Sequence, residues 1–105
     1  MYLPQVYQKF QERFPEVFNH FKQLGKATRE AGPLYEKTQD LIKLGIAAGA
    51  NSRGGVMSNT RKAMAAGATV EEVEHAILLA MTTTGFPNTI AALSWVQEVL
   101  AEAND

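Results

Sequence analysis

The chain reads as an all-α protein of about six helices. Three observations predict this: apolar residues recur at three and four spacing almost throughout, no alternating run is long enough for a strand, and Pro, Gly and capping residues fall where helices would start and stop. Pro4 fits the first turn of a short helix carrying Val6, Tyr7 and Phe10, and Pro15 ends it and opens a second, with Phe14 at the joint. The second helix carries Val17, Phe18, Phe21 and Leu24 as one apolar stripe and is expected to fade near Ala31 and Gly32. A third, from about Leu34 to Gly49, combines Leu41, Ile42, Leu44 and Ile46 with the small residues Gly45, Ala47, Ala48 and Gly49, which suit close helix packing.

Asn51 and Ser52 are good N-cap residues for a fourth helix that runs to Ala66 and stops at Gly67, a glycine suited to a left-handed turn. Thr69 to Glu72 reads as a capping box opening the fifth helix, in which hydroxyl and carboxylate each satisfy an orphan backbone donor. That helix is expected to continue to about Gly85. Phe86-Pro87 breaks it and starts the last helix, with Ile90, Leu93, Val96 and Leu100 as its stripe.

Composition narrows function by exclusion. A length of 105 residues gives one domain, 1–105, with one small core. Ten Lys and Arg against eleven Asp and Glu leave a net charge of -1, too little positive field to expect nucleic acid or an anionic membrane surface as partner. No cysteine is present, which removes disulfides, thiolate metal sites and thiol catalysis within the chain and leaves no mark of an oxidising compartment. The longest apolar run, Ala76 to Met81, is far short of the roughly 20 residues that cross a bilayer. Met1 to Phe10 shows no secretory pattern, so a cytoplasmic protein is expected.

Two helices are too apolar for a lone bundle of this size. At 100° per residue, Val73, Ile77, Ala80, Met81 and Thr84 make a core stripe, yet Leu78 and Leu79 fall on the far side with His75. In the last helix Ala92, Trp95 and Val99 widen the stripe. A contiguous second apolar surface marks a subunit contact, so a homo-oligomer is expected, with Leu78, Leu79, Trp95 and His75 serving assembly.

The run from Gly55 to Ala76, followed by Leu78-Leu79-Ala80-Met81 and Gly85-Phe86-Pro87, resembles the carboxymuconolactone decarboxylase family, which includes the AhpD-like alkyl hydroperoxidases. The likeness extends upstream through Glu36 to Ala50 and covers about two thirds of the chain. The resemblance implies an AhpD-like helical bundle assembled as a symmetric homo-oligomer, commonly a trimer or hexamer, with sites between helices or near subunit contacts. It also implies peroxiredoxin or alkylhydroperoxidase-type activity, or decarboxylation.

In the AhpD-like branch the site is C-x-x-C-x-x-x-H at a helix start, with a carboxylate on the preceding helix. A helix N-terminus favours a thiolate, spacing of three puts both sulfurs on one face, and the histidine one turn on moves the proton. Those positions fall here at Ser52, Gly55, Asn59 and Asp40. The decarboxylase branch resembles E-L-x-x-H, and Gly55 and Asn59 replace its glutamate and histidine. Glycine has no side chain and an amide does not titrate, so neither can shuttle a proton.

The family-equivalent catalytic candidates are thus Asp40, Ser52 and Asn59, with Arg53, Gly54 and Gly55 as ligand-binding candidates. Each has a plain structural alternative. Ser52 suits an N-cap, Asp40 follows Glu36 by four residues and could be solvated, and Asn59 could line a pocket or lie on the surface. Arg53 and Arg61 share a helix side and could hold a carboxylate or phosphate, or be solvated. Gly54 and Gly55 leave room for a ligand or for the small-residue helix before them. Two histidines, 55 positions apart, give no metal-ligand spacing, and no cofactor is implied; His20 reads as solvated. Two functions follow as expectations: a divergent small-molecule enzyme or binder using the family pocket, or a non-catalytic oligomeric interaction protein.

Overall fold

The computed structural model describes residues 4–102, so the two ends of the expected 1–105 domain lie outside the described residues. The helices are α1 Gln5–Arg13, α2 Pro15–Glu30, α3 Glu36–Gly49, α4 Arg53–Ala65, α5 Val70–Leu78, α6 Met81–Thr84 and α7 Phe86–Glu102. Among the described residues there is no strand, and no helix is long and apolar enough to cross a membrane. The chain divides into two compact units, residues 1–33 and 34–105.

The first unit is the α1–α2 hairpin. Pro15 opens α2 as expected, and Phe14 N–H closes the end of α1 on the Phe10 carbonyl at 2.9 Å. Its apolar contact is small. Phe18 is buried, with Tyr7 edge-to-face against it at 5.6 Å, and Phe14 tilts against Phe10 at 5.4 Å. The rest of the predicted α2 stripe is not core: Val17, Phe21 and Leu24 are 57%, 62% and 63% exposed.

The second unit is organised around the α3–α4 hairpin, with α5 and α7 packed on it. Only Ala50, Asn51 and Ser52 separate α3 from α4, so the two helices return on each other. Asn51 does not cap α4. It takes a left-handed φ of 55°, which asparagine tolerates, and ends α3, while Ser52 does the capping. Leu44, Ala47 and Ala48 from α3 meet Val56 and Ala63 from α4, Val73 and Ile77 from α5, and Ala92 and Val96 from α7 in one buried cluster.

The signals around α5 act as read. Gly67 is left-handed at φ 96°, and the capping box forms in both directions, with Thr69 N–H donating to Glu72 at 2.9 Å and Glu72 N–H donating to the Thr69 hydroxyl at 3.1 Å. The helix does not run unbroken to Gly85. At Leu79–Ala80 the turn tightens, Ala80 N–H bonding to the Ile77 carbonyl three residues back at 3.0 Å, and the short α6 follows. Among the described residues there are therefore seven helices where about six were expected, the extra one being the four-residue α6. Three consecutive threonines, Thr82 to Thr84, add β-branching that disfavours a long helix there.

The α7 stripe is largely as expected, with Thr89 added and Ile90 left out. Thr89, Ala92, Val96 and Val99 are its buried residues, while Ile90 is 47% exposed and Leu93, Trp95 and Leu100 pack partly buried. Asn88 anchors the start of α7 by donating to the carbonyls of Ala48 and Gly49 at 2.8 and 3.1 Å, which caps the end of α3.

Candidate functional site

Of the positions equivalent to the family motif, Asp40 lies in α3 and Ser52, Gly55 and Asn59 lie at the start of or within α4, and these last three have structural tasks. Ser52 is the N-cap of α4: its backbone is extended, and its hydroxyl accepts from Gly55 N–H at 3.1 Å. A Cβ added at Gly55 would sit 2.8 Å from the Ser52 hydroxyl and 3.0 Å from Ala47 Cβ, so the missing side chain is what lets α3 and α4 touch. At Gly54 an added Cβ would meet nothing within 4 Å.

Asn59 is buried, and its amide donates to the Gly55 carbonyl one turn back at 2.9 Å. Asp40 is 1% exposed, on the same α3 face as Leu44 and Ala47, so it is not the solvated carboxylate that its polar neighbours would suggest. No buried side-chain nitrogen or oxygen among the described residues lacks a hydrogen-bond partner.

The two arginines that could have held an anion are both paired with carboxylates of α7. Arg53 donates to Glu98 at 2.9 Å, in an exposed pair. Arg61 forms a two-pronged bond to Glu102, Nε at 3.0 Å and Nη2 at 2.7 Å. These bridges tie α4 to α7, and the forked geometry makes the second the stronger. No group of three or more potential ligand side chains that could hold a metal occurs among the described residues.

The open space lies on the other side of α3. A groove of about 530 Å³ runs between α3, α5 and α6, and none of Asp40, Ser52, Arg53, Gly54, Gly55 or Asn59 lines it. Its walls are Leu41, Ile42 and Ile46 from α3, Ala76 from α5 and Leu79 just after it, with Gly45, Gly49 and Ala80 lowering the floor. Thr38, Glu72, His75 and two threonines of α6 supply the polar rim. Ile46 and Leu79, both lining this groove, are 65% and 67% exposed, a high figure for large aliphatic side chains.

Of the residues assigned to assembly, Leu78, Leu79 and His75 are exposed as expected. Trp95 instead packs half-buried against the chain's own core. Sequence reasoning missed the groove as a feature, although its signal was present: α3 is apolar on both sides, and a helix apolar all round needs two covers. One cover is the α4 face. The other is the groove side.

Glu72 serves two elements. Its carboxylate is held below the ordinary glutamate value first by the Thr69 backbone N–H and then by Lys37, whose ammonium lies 3.1 Å away; Glu102 is lowered in the same direction by Arg61. A carboxylate depressed in the folded state adds stability that is complete above its unfolded value, near 4.5, and disappears as pH falls through the folded value. Thermal melts of wild type and Glu72→Gln are therefore expected to differ most above about pH 5 and to converge as pH drops toward 3. A gap that stays constant across that range would contradict the pairing.

Comparison with known proteins agrees with the helical frame. The carboxymuconolactone decarboxylase family model matches residues 15–98. The chain is similar to the uncharacterized protein MJ1511 of Methanocaldococcus jannaschii, 30% identical over 88 residues, which cover 84% of this chain and 82% of that protein. No solved structure matches the chain significantly. With four fifths of its length inside one family model and the capping signals of that region formed in the structure, the chain belongs to the carboxymuconolactone decarboxylase family.

Proposed function

We propose that this chain is a non-catalytic, homo-oligomeric member of its family, using the open α3–α5–α6 face for assembly. The observation that carries this reading is the occupation of the motif positions. Ser52 caps, Gly55 admits a neighbouring helix, and Asn59 bonds to its own helix backbone, while a large apolar groove remains open elsewhere. A thiol or acid–base site would need a titratable group at position 55 or 59, and neither residue titrates. A trimer or hexamer is the proposed assembly, since burial of a second face fits closed symmetry.

A second reading is a small-molecule binder, favoured by the size of the groove and by His75 and Glu72 on its rim, which would orient an apolar ligand with one polar end. The two readings agree on chemistry. Pure chain supplied with an organic hydroperoxide and a dithiol reductant is expected to consume no more peroxide than a protein-free control. Protein-dependent turnover would contradict the non-catalytic reading.

A further inference from the structure

We infer that the apolar stripe of α2 from one copy seats in the α3–α5–α6 groove of a second copy. This deepens the proposed oligomeric reading and rests on it, naming the two surfaces that meet. Val17, Phe21 and Leu24 follow one another at spacings of four and three, so they form a single ridge about 10 Å long at 1.5 Å rise per residue. All three are more than half exposed. Ridges of this kind pack into grooves floored by small residues, and Gly45, Gly49 and Ala80 make such a floor.

Two further facts favour this occupant. First, the α1–α2 unit has too little of its own core: Phe18 is its one buried residue among those described, and units below about 40 residues rarely hold together without outside support. An amphipathic helix is stabilised mainly by burying its apolar face, so the stripe needs a cover. Second, the units carry opposite charge. Residues 1–33 hold five Lys and Arg against three Glu, whereas residues 34–105 hold five against eight Asp and Glu. Approach of one copy's first unit to another's second unit is therefore electrostatically favoured over like meeting like.

Mixing experiments separate this arrangement from other assemblies. Phe21→Asp spoils the ridge and leaves the groove; Leu79→Asp spoils the groove and leaves the ridge. Both sites are more than half exposed, so the helices should form in each variant, and circular dichroism checks that they do. Light scattering is expected to find each variant monomeric alone and a one-to-one complex on mixing, because one intact ridge then meets one intact groove. If wild type is oligomeric and Phe21→Asp leaves its mass unchanged, the proposed oligomer stands but assembles through another surface, and the ridge-in-groove inference is overturned. A monomeric wild type would overturn both.

Discussion

A Leu79→Asp chain is expected to lose the assembly while keeping its helix content. Leu79 is two thirds exposed at the groove wall, so in the isolated chain aspartate there remains in water and costs little. In the assembly the same position would be covered. The substitution removes about 1.5–3 kcal/mol of apolar burial, and adds the penalty of covering an unpaired carboxylate against Ile42 and Ile46. Even about 3 kcal/mol raises a dissociation constant by more than about 100-fold, enough to move a micromolar assembly to monomer. Circular dichroism should match wild type while the mass falls. Lost helix content together with the mass would mean that Leu79 supports the fold.

The second large effect concerns the motif positions. Installing both family cysteines as Ser52→Cys with Gly55→Cys is expected to destabilise the chain and to confer no hydroperoxide turnover. Losing the serine cap costs about 0.5–2 kcal/mol. A side chain at position 55 must push against Ala47, whose Cβ lies 3.0 Å from the position of an added Cβ, and overpacking of that kind costs about 1–3 kcal/mol. Relief of the helical glycine returns less than about 1 kcal/mol. The net loss, on the order of 2 kcal/mol, lowers the melting temperature by roughly 10 °C for a domain of this size. Catalysis stays absent, because Asn59 still cannot carry a proton between thiol and substrate. An active, fully stable double variant would show that the seam accepts chemistry after all.

Much of the fold was legible in the sequence because its boundaries are local. Thr69 and Glu72 satisfy each other within one turn, Gly67 supplies a left-handed residue, and Pro15 opens α2, so four or five neighbouring letters carry each signal. What was not legible depends on partners far along the chain. Arg53 finds Glu98 across 45 positions and Arg61 finds Glu102 across 41, so neither pairing could be read from helix spacing. The α7 face was read correctly except at its first turn. There Ile90 outranks Thr89 in hydrophobicity, yet Thr89 is buried at 1% and Ile90 is 47% exposed.

The candidate site shows the same division. The cap at Ser52 and the packing role of Gly55 follow from residue type and the small-residue helix beforehand. Residue type and spacing left Asp40 either solvated beside Gln39 and Glu36 or turned into the family pocket, and its 1% exposure depends on tertiary packing that local spacing does not carry. The groove was not read from the sequence, which pointed to second apolar surfaces on the fifth and last helices, although in α3 Ile42 and Ile46 stand opposite the face bearing Leu44 and Ala47. A pattern can show that a helix has two apolar sides. It cannot show which of them the chain itself will cover.

If that uncovered side is a subunit contact, the molar mass of the unaltered protein reports it. Light scattering of pure chain across the micromolar range should return a whole-number multiple of 11.5 kDa, three or six for the proposed symmetries. A constant mass of 11.5 kDa over that range would contradict it.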